Sequence, residues 1–121
     1  MMKNYTVQAN PFKVPTDDGK EILEHWGNST NNSEVSIAKM IAPAGWSEPF
    51  QTPNFDEFTL IISGKKQFEI DGEVVILEAG QSVLIRKGAR VRYSNPFALP
   101  CEYVAICLPA FSIDLVNREE N

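Results

Sequence analysis

Glu57 is the residue whose type and setting speak most directly of chemistry. It opens the run Glu57-Phe58-Thr59-Leu60-Ile61-Ile62. A strand there puts Glu57, Thr59 and Ile61 on one face and Phe58, Leu60 and Ile62 on the other. Both faces then carry apolar bulk, and the carboxylate points into something enclosed. An ionised carboxylate removed from water costs several kcal/mol or more unless a cation, hydrogen-bond donors or a ligand compensates it. Glu57 is therefore expected to serve as a general acid or base, or to anchor a polar ligand. The competing explanation is an ion pair that serves the fold alone.

Other reactive types are sparse. Cys101 and Cys107 fall on one expected strand, where six steps of about 3.3 Å separate them by roughly 20 Å, beyond disulfide reach. They read as reduced, half-buried core residues. A catalytic thiol needs a neighbouring imidazole or helix N-terminus, and the single histidine, His25, has no evident proximity to either. Arg86, Lys87, Arg90 and Arg92 form a basic run. Charges on an outward strand face are usually solvated or paired, so anion binding is the minor reading for them. The glycine-rich phosphate loop of the common kinases is absent.

The elements that must position Glu57 are short strands. The chain has 121 residues, enough for one core and one domain. Eight prolines and seven glycines punctuate it into many short pieces. Residues 1–20 are polar, contain Pro11 and Pro15, and read as an N-terminal arm; 21–110 read as a barrel and 111–121 as a tail with at most one helical turn. Strands are expected over 20–26, 34–42, 67–70, 73–77, 82–85, 89–94 and 101–108, besides the one that carries Glu57. Asp71-Gly72 is the clearest signal, a two-residue hairpin turn between alternating strands. The loop 27–33 is wholly polar, and its tip is expected to be mobile. No repeat or amphipathic helix is evident, and the expected class is all-β, a sandwich or small barrel.

The spacing resembles the cupin family. Its first motif is Gly, five residues, His-x-His, three or four residues, Glu, six residues, Gly, and Gly45, Glu57 and Gly64 stand in register with it. Its second is Gly, five residues, Pro-x-Gly, two residues, His, three residues, Asn, matched by Gly80, Gly88 and Asn95. The resemblance implies a jelly-roll barrel that usually holds one metal on three histidines and the glutamate. Here the histidine positions carry Gln51, Pro53 and Val91, the motif proline is Arg86, and of the ligands only Glu57 remains. One carboxylate and one amide make a poor transition-metal site, so neither metal nor cofactor is expected. Period-two alternation places Val91, Tyr93 and Asn95 on one face, and the motif position of Val91 implies that this face points inward. Gln51, Glu57, Tyr93 and Asn95 are then the candidate ligand-binding residues, with Glu57 and Tyr93 as the candidate catalytic pair; Asn95 before Pro96 also reads as a turn residue.

Within the family, Asn54-Phe55-Asp56-Glu57 and Arg86-Lys87-Gly88 are similar to the ethanolamine-utilisation cupin with acetate kinase activity. That likeness implies an alternative in which Gln51, Asp56 and Glu57 hold a hydrated Mg²⁺ and the chain acts on a small carboxylate or phosphorylated substrate. The main expectation is binding of a small polar or anionic molecule in the barrel; a structural or interaction protein is the third reading, and it leaves Glu57 unexplained. A net charge of −5 argues against nucleic acid. Neither a secretory leader nor a run of about 20 apolar residues is present, so a cytoplasmic protein off the membrane is expected. Trp46, Phe50 and Phe55 beside the first motif are expected either at the mouth of the barrel or in a subunit contact. With the arm and Leu108-Pro109-Ala110-Phe111, they make a homodimer the expected assembly.

Overall fold

Turn residues divide the chain into nine strands, one 3-10 turn (Asn28–Thr30) and one short α-helix within residues 3–120, the part described by the structure, a computed structural model. The strands are β1 (Phe12–Val14), β2 (Glu21–Trp26), β3 (Ser36–Ala42), β4 (Asp56–Ser63), β5 (Lys65–Ile70), β6 (Glu73–Glu78), β7 (Ser82–Ile85), β8 (Val91–Ser94) and β9 (Cys101–Leu108); α1 is Ile113–Val116. Asp71 and Gly72 both take positive φ, 47° and 86°. That is the backbone a tight β5–β6 turn of the primed type needs.

Six strands form one sheet in the order β1-β2-β3-β9-β4-β7, and three form a second in the order β6-β5-β8. All pairings are antiparallel. The inner faces close on one another as a jelly-roll barrel. Ala42, Ile61, Tyr103 and Ala105 come from the larger sheet, Phe68, Val91 and Tyr93 from the smaller, and all are buried in one core. Each large apolar side chain so buried contributes roughly 1.5–3 kcal/mol.

Strand β9 is central to the larger sheet, and its alternation is regular: Cys101, Tyr103, Ala105 and Cys107 face in. Its neighbour β4 turns Thr59 and Ile61 inward, while Phe58, Leu60 and Ile62 are 42–47% exposed. The expected parity holds, but only one face of β4 is covered by this chain. Gly64 ends β4 at φ 79°, and a Cβ there would stand 2.4 Å from the Pro100 carbonyl oxygen, so no other residue fits.

Some boundaries move. Strand β3 starts at Ser36, because the Asn32 side chain accepts hydrogen bonds from Glu34 N and Val35 N. Strand β8 starts at Val91, because Arg90 N is drawn to Asp71 Oδ1 at 2.9 Å. Residues Phe12–Val14 lie along β2, with Val14 opposite Ile22. Trp46 and Phe55 are 5% and 2% exposed, packed within the chain rather than left on its surface. Phe55 joins Cys107 and Val116 of α1 in a small second cluster.

Candidate functional site

Strand pairing brings Glu57 to the interior. Glu57 lies opposite Cys107 of β9, and across the barrel the Tyr93 hydroxyl donates a hydrogen bond to Glu57 Oε1. The Cys107 thiol donates to Glu57 Oε2 at 3.5 Å. Both groups are held in their protonated forms. Burial, then the nearby Glu57 carboxylate, raises the Tyr93 phenol well above its usual range. Burial and the same carboxylate push the Cys107 thiol up.

These side chains line a cavity of about 260 Å³. It also contains Lys66, which the sequence reading did not single out. Lys66 is 3% exposed and extends its Nζ over the Tyr103 ring, 3.4 Å from the centroid, with Tyr93 at 4.9 Å and Phe68 at 5.3 Å. Among the described residues, none of its contacts is an ion pair within 4.0 Å. Burial lowers its pKa from 10.5 to about 7, although Glu57 works in the opposite direction. Near neutral pH the amine is thus present in both forms. A signal for it existed: Lys66 stands two residues before Phe68, on the same face of a strand with period two.

Towards the cavity mouth the charges are wired together. Lys20 Nζ meets Glu48 Oε2 at 3.4 Å, and Arg118 Nη2 meets the same oxygen at 3.6 Å. The Arg118 guanidinium also donates to Gln51 Oε1 at 3.3 Å. Trp46 Nε1 donates to Asp18 Oδ2 at 2.8 Å, which ties the N-terminal segment to the barrel rim.

Three of the four candidate residues, Gln51, Glu57 and Tyr93, line this one cavity. Asn95 does not join them. It is fully buried, its Nδ2 lies within 3.2 Å of the carbonyls of Ala42, Pro43 and Leu99, and its Oδ1 accepts from Phe97 N. Every polar atom of that side chain is spent on backbone, as the turn reading required. Asp56 points away from Glu57, accepting from Lys87 N at 2.9 Å and facing Arg86 at 3.8 Å. The oxygen set Gln51, Asp56 and Glu57 therefore does not converge. Arg90 and Arg92 are paired as well, with Glu119 at 2.7 Å and Glu69 at 3.6 Å.

The metal positions of the two motifs do converge in space, since Gln51 and Val91 exchange reciprocal backbone hydrogen bonds of 2.9 and 2.8 Å. The residues at those positions are nonetheless unsuited to a transition metal. Only Glu57 offers an anionic ligand, and both of its oxygens already accept hydrogen bonds. No group of three or more His, Cys, Asp or Glu side chains among the described residues is arranged to hold an ion.

The model of the cupin domain matches residues 39–107, more than half of the chain, and the chain belongs to the cupin family. An endoribonuclease YbeY from Myxococcus xanthus is 39% identical over 107 residues, which are 88% of this chain and 36% of that protein. The chain thus spans about a third of that curated relative. Among solved structures, a variant of Streptomyces PAC13 with uridine superposes with a TM-score of 0.76 at 14% identity, covering 99% of this chain and 93% of that one. An ethanolamine utilization protein Q from Salmonella typhimurium gives 0.64 at 20% identity, covering 76% and 71%. At such identities the two structures share the fold with this chain.

Proposed function

We propose that the barrel binds a small polar molecule through an oxygen, carboxylate or carbonyl, that is received by Lys66 and flanked by Glu57, Tyr93 and Gln51. The observation that carries this reading is Lys66 itself, a buried amine that lines the cavity and has no carboxylate within ion-pair distance among the described residues. A lone ammonium in a core is costly, and a structural role is met more cheaply by Met or Leu. At ~30 Å³ per water, 260 Å³ is the room of roughly eight or nine waters, which sets the ligand as small. Five acids, Asp17, Asp18, Glu24, Glu48 and Glu57, line the cavity against the three cations Lys20, Lys66 and Arg118. That balance opposes nucleic acid and multiply charged phosphates and favours a neutral or singly charged ligand. The activity in the name of the Myxococcus relative belongs to a protein of which this chain spans 36%, and is not carried over.

Ligand-observed NMR with acetate, pyruvate and inorganic phosphate tests the reading. Acetate or pyruvate should bind the wild-type chain and be lost in Lys66→Met, and phosphate should not bind; binding of neither carboxylate, or binding indifferent to Lys66→Met, contradicts it. A second reading, an enzyme with Glu57 as acid/base, is favoured by the Tyr93–Glu57 hydrogen bond. Unchanged turnover of an identified substrate in Glu57→Gln would end it.

The assembly we propose is a homodimer that covers the outer face of β4. Phe58 stands in register with Leu84 on one side and Ile106 on the other, and Leu60 and Ile62 extend this exposed apolar strip. Light scattering on the eluting protein should give twice the chain mass, and Leu60→Lys should halve it.

A further inference from the structure

Deepening the reading that the cavity takes a small polar molecule, we propose that Lys66 is an imine-forming nucleophile for a small aldehyde or ketone, with Glu57 carrying the proton. Three observations place the groups for that step. Lys66 lines the cavity with no ion pair among the described residues, whereas the other cavity lysine, Lys20, is held by Glu48. Aromatic faces of Tyr103, Tyr93 and Phe68 surround it, which keeps bulk water away from a carbon–nitrogen double bond. Glu57 lines the same cavity, and its carboxylate is oriented by the hydroxyl of Tyr93, the ring of which lies 4.9 Å below Nζ.

In the step, the lone pair of the Lys66 amine adds to the carbonyl carbon and the π pair moves to oxygen. A water in the cavity relays the proton released from nitrogen to Glu57, and the same relay delivers it to that oxygen, giving a carbinolamine. The nitrogen lone pair then expels the hydroxyl, and the second proton of the nitrogen passes by way of Glu57 to the departing oxygen, so that one water is expelled for each imine formed and no oxidant or reductant is consumed. An amine that is unprotonated in part near pH 7, as burial makes this one, is the reactive form. The groups facing it are Glu57 on β4, Tyr93 on β8, Cys101 and Tyr103 on β9, and Lys20 and Glu48 at the mouth; Glu57 and Glu48 favour its protonation and Lys20 opposes it. The cavity thiol is no rival nucleophile, because burial and Glu57 keep Cys107 protonated.

The test is reductive trapping. The full chain is incubated at pH 7 with acetaldehyde, acetone or pyruvate and cyanoborohydride, and the modified lysines are located by peptide mass mapping. Lys66 should be labelled at least tenfold faster than Lys3, Lys13, Lys65 or Lys87 by one or more of the three probes. Labelling at that site should vanish in Lys66→Met and slow in Glu57→Gln, while Lys87→Met, outside the cavity, leaves it in place. Label confined to surface lysines overturns the proposal. If pyruvate or acetate still binds in the NMR assay in that case, only the imine chemistry fails. If neither binds and Lys66 stays unlabelled, the binding reading fails with it.

Discussion

Lys20 and Lys66 both line the cavity, and opposite means hold them there. Lys20 sits near the mouth with a carboxylate at 3.4 Å and the Trp46 ring at 4.6 Å. Lys66 lies deeper, with three aromatic rings around it and no carboxylate within ion-pair distance among the described residues. Cation–π attraction in a desolvated site is worth about 2 kcal/mol, less than the several kcal/mol lost when an ammonium leaves water. The mouth is therefore an internally satisfied network that shapes and closes, whereas the deep end carries an unmet electrostatic demand. Unmet demands of that kind are where binding and chemistry are expected.

Substitution at Lys66 gives the sharpest break between the two ends. A pKa moved from 10.5 to about 7 corresponds to a penalty of up to about 5 kcal/mol at acidic pH, taking about 1.36 kcal/mol per unit. Lys66→Met should therefore be more stable than wild type by about 3–5 kcal/mol at pH 6, measured by urea denaturation. Between pH 7 and 10.5 the unfolded chain binds the proton that the folded chain has released, so wild-type stability rises through that window. The gap to the variant should accordingly close by pH 10. A variant less stable than wild type at pH 6 would mean that the site meets the needs of Lys66 after all.

Next in size is Asn95→Ala. It strips buried carbonyls of Ala42, Pro43 and Leu99 of a donor and should cost about 2–4 kcal/mol, with small-molecule binding unchanged in the folded fraction. Tyr93→Phe removes a donor from Glu57 and should cost about 1–2 kcal/mol, and it should weaken acetate or pyruvate binding in the NMR assay. Lys20→Met should have the smallest effect, about 1 kcal/mol, because Arg118 still faces Glu48 at 3.6 Å. A loss at Lys20 exceeding that at Asn95 would reverse the contrast between mouth and clamp.

Much of the barrel was legible because its strands keep period two. Cys101, Tyr103, Ala105 and Cys107 declare the inner face of β9, and Asp71-Gly72 declares its hairpin. Glu57 could be found by strand parity alone, and Tyr93 by parity joined to the motif spacing. Their contact, across 36 positions of sequence, depends on how two sheets close and no local pattern shows it. Lysine is ordinarily a surface residue, which hides Lys66 in the sequence although its parity with Phe68 points inward. Asp56 and Glu57 look equivalent in sequence, yet a strand sends adjacent side chains to opposite faces, and only Glu57 reaches the cavity. Phe12–Val14 went unrecognised as a strand because three residues between prolines leave no period to read.

Titration of the Lys66 side chain by nitrogen-detected or carbon-detected NMR tests the central claim most directly. A midpoint near 7 in the free protein, moving upward when acetate binds and absent from Lys66→Met, is the predicted result. A midpoint at 10 or above, unmoved by acetate, would show an ammonium already satisfied within the fold and would contradict the account.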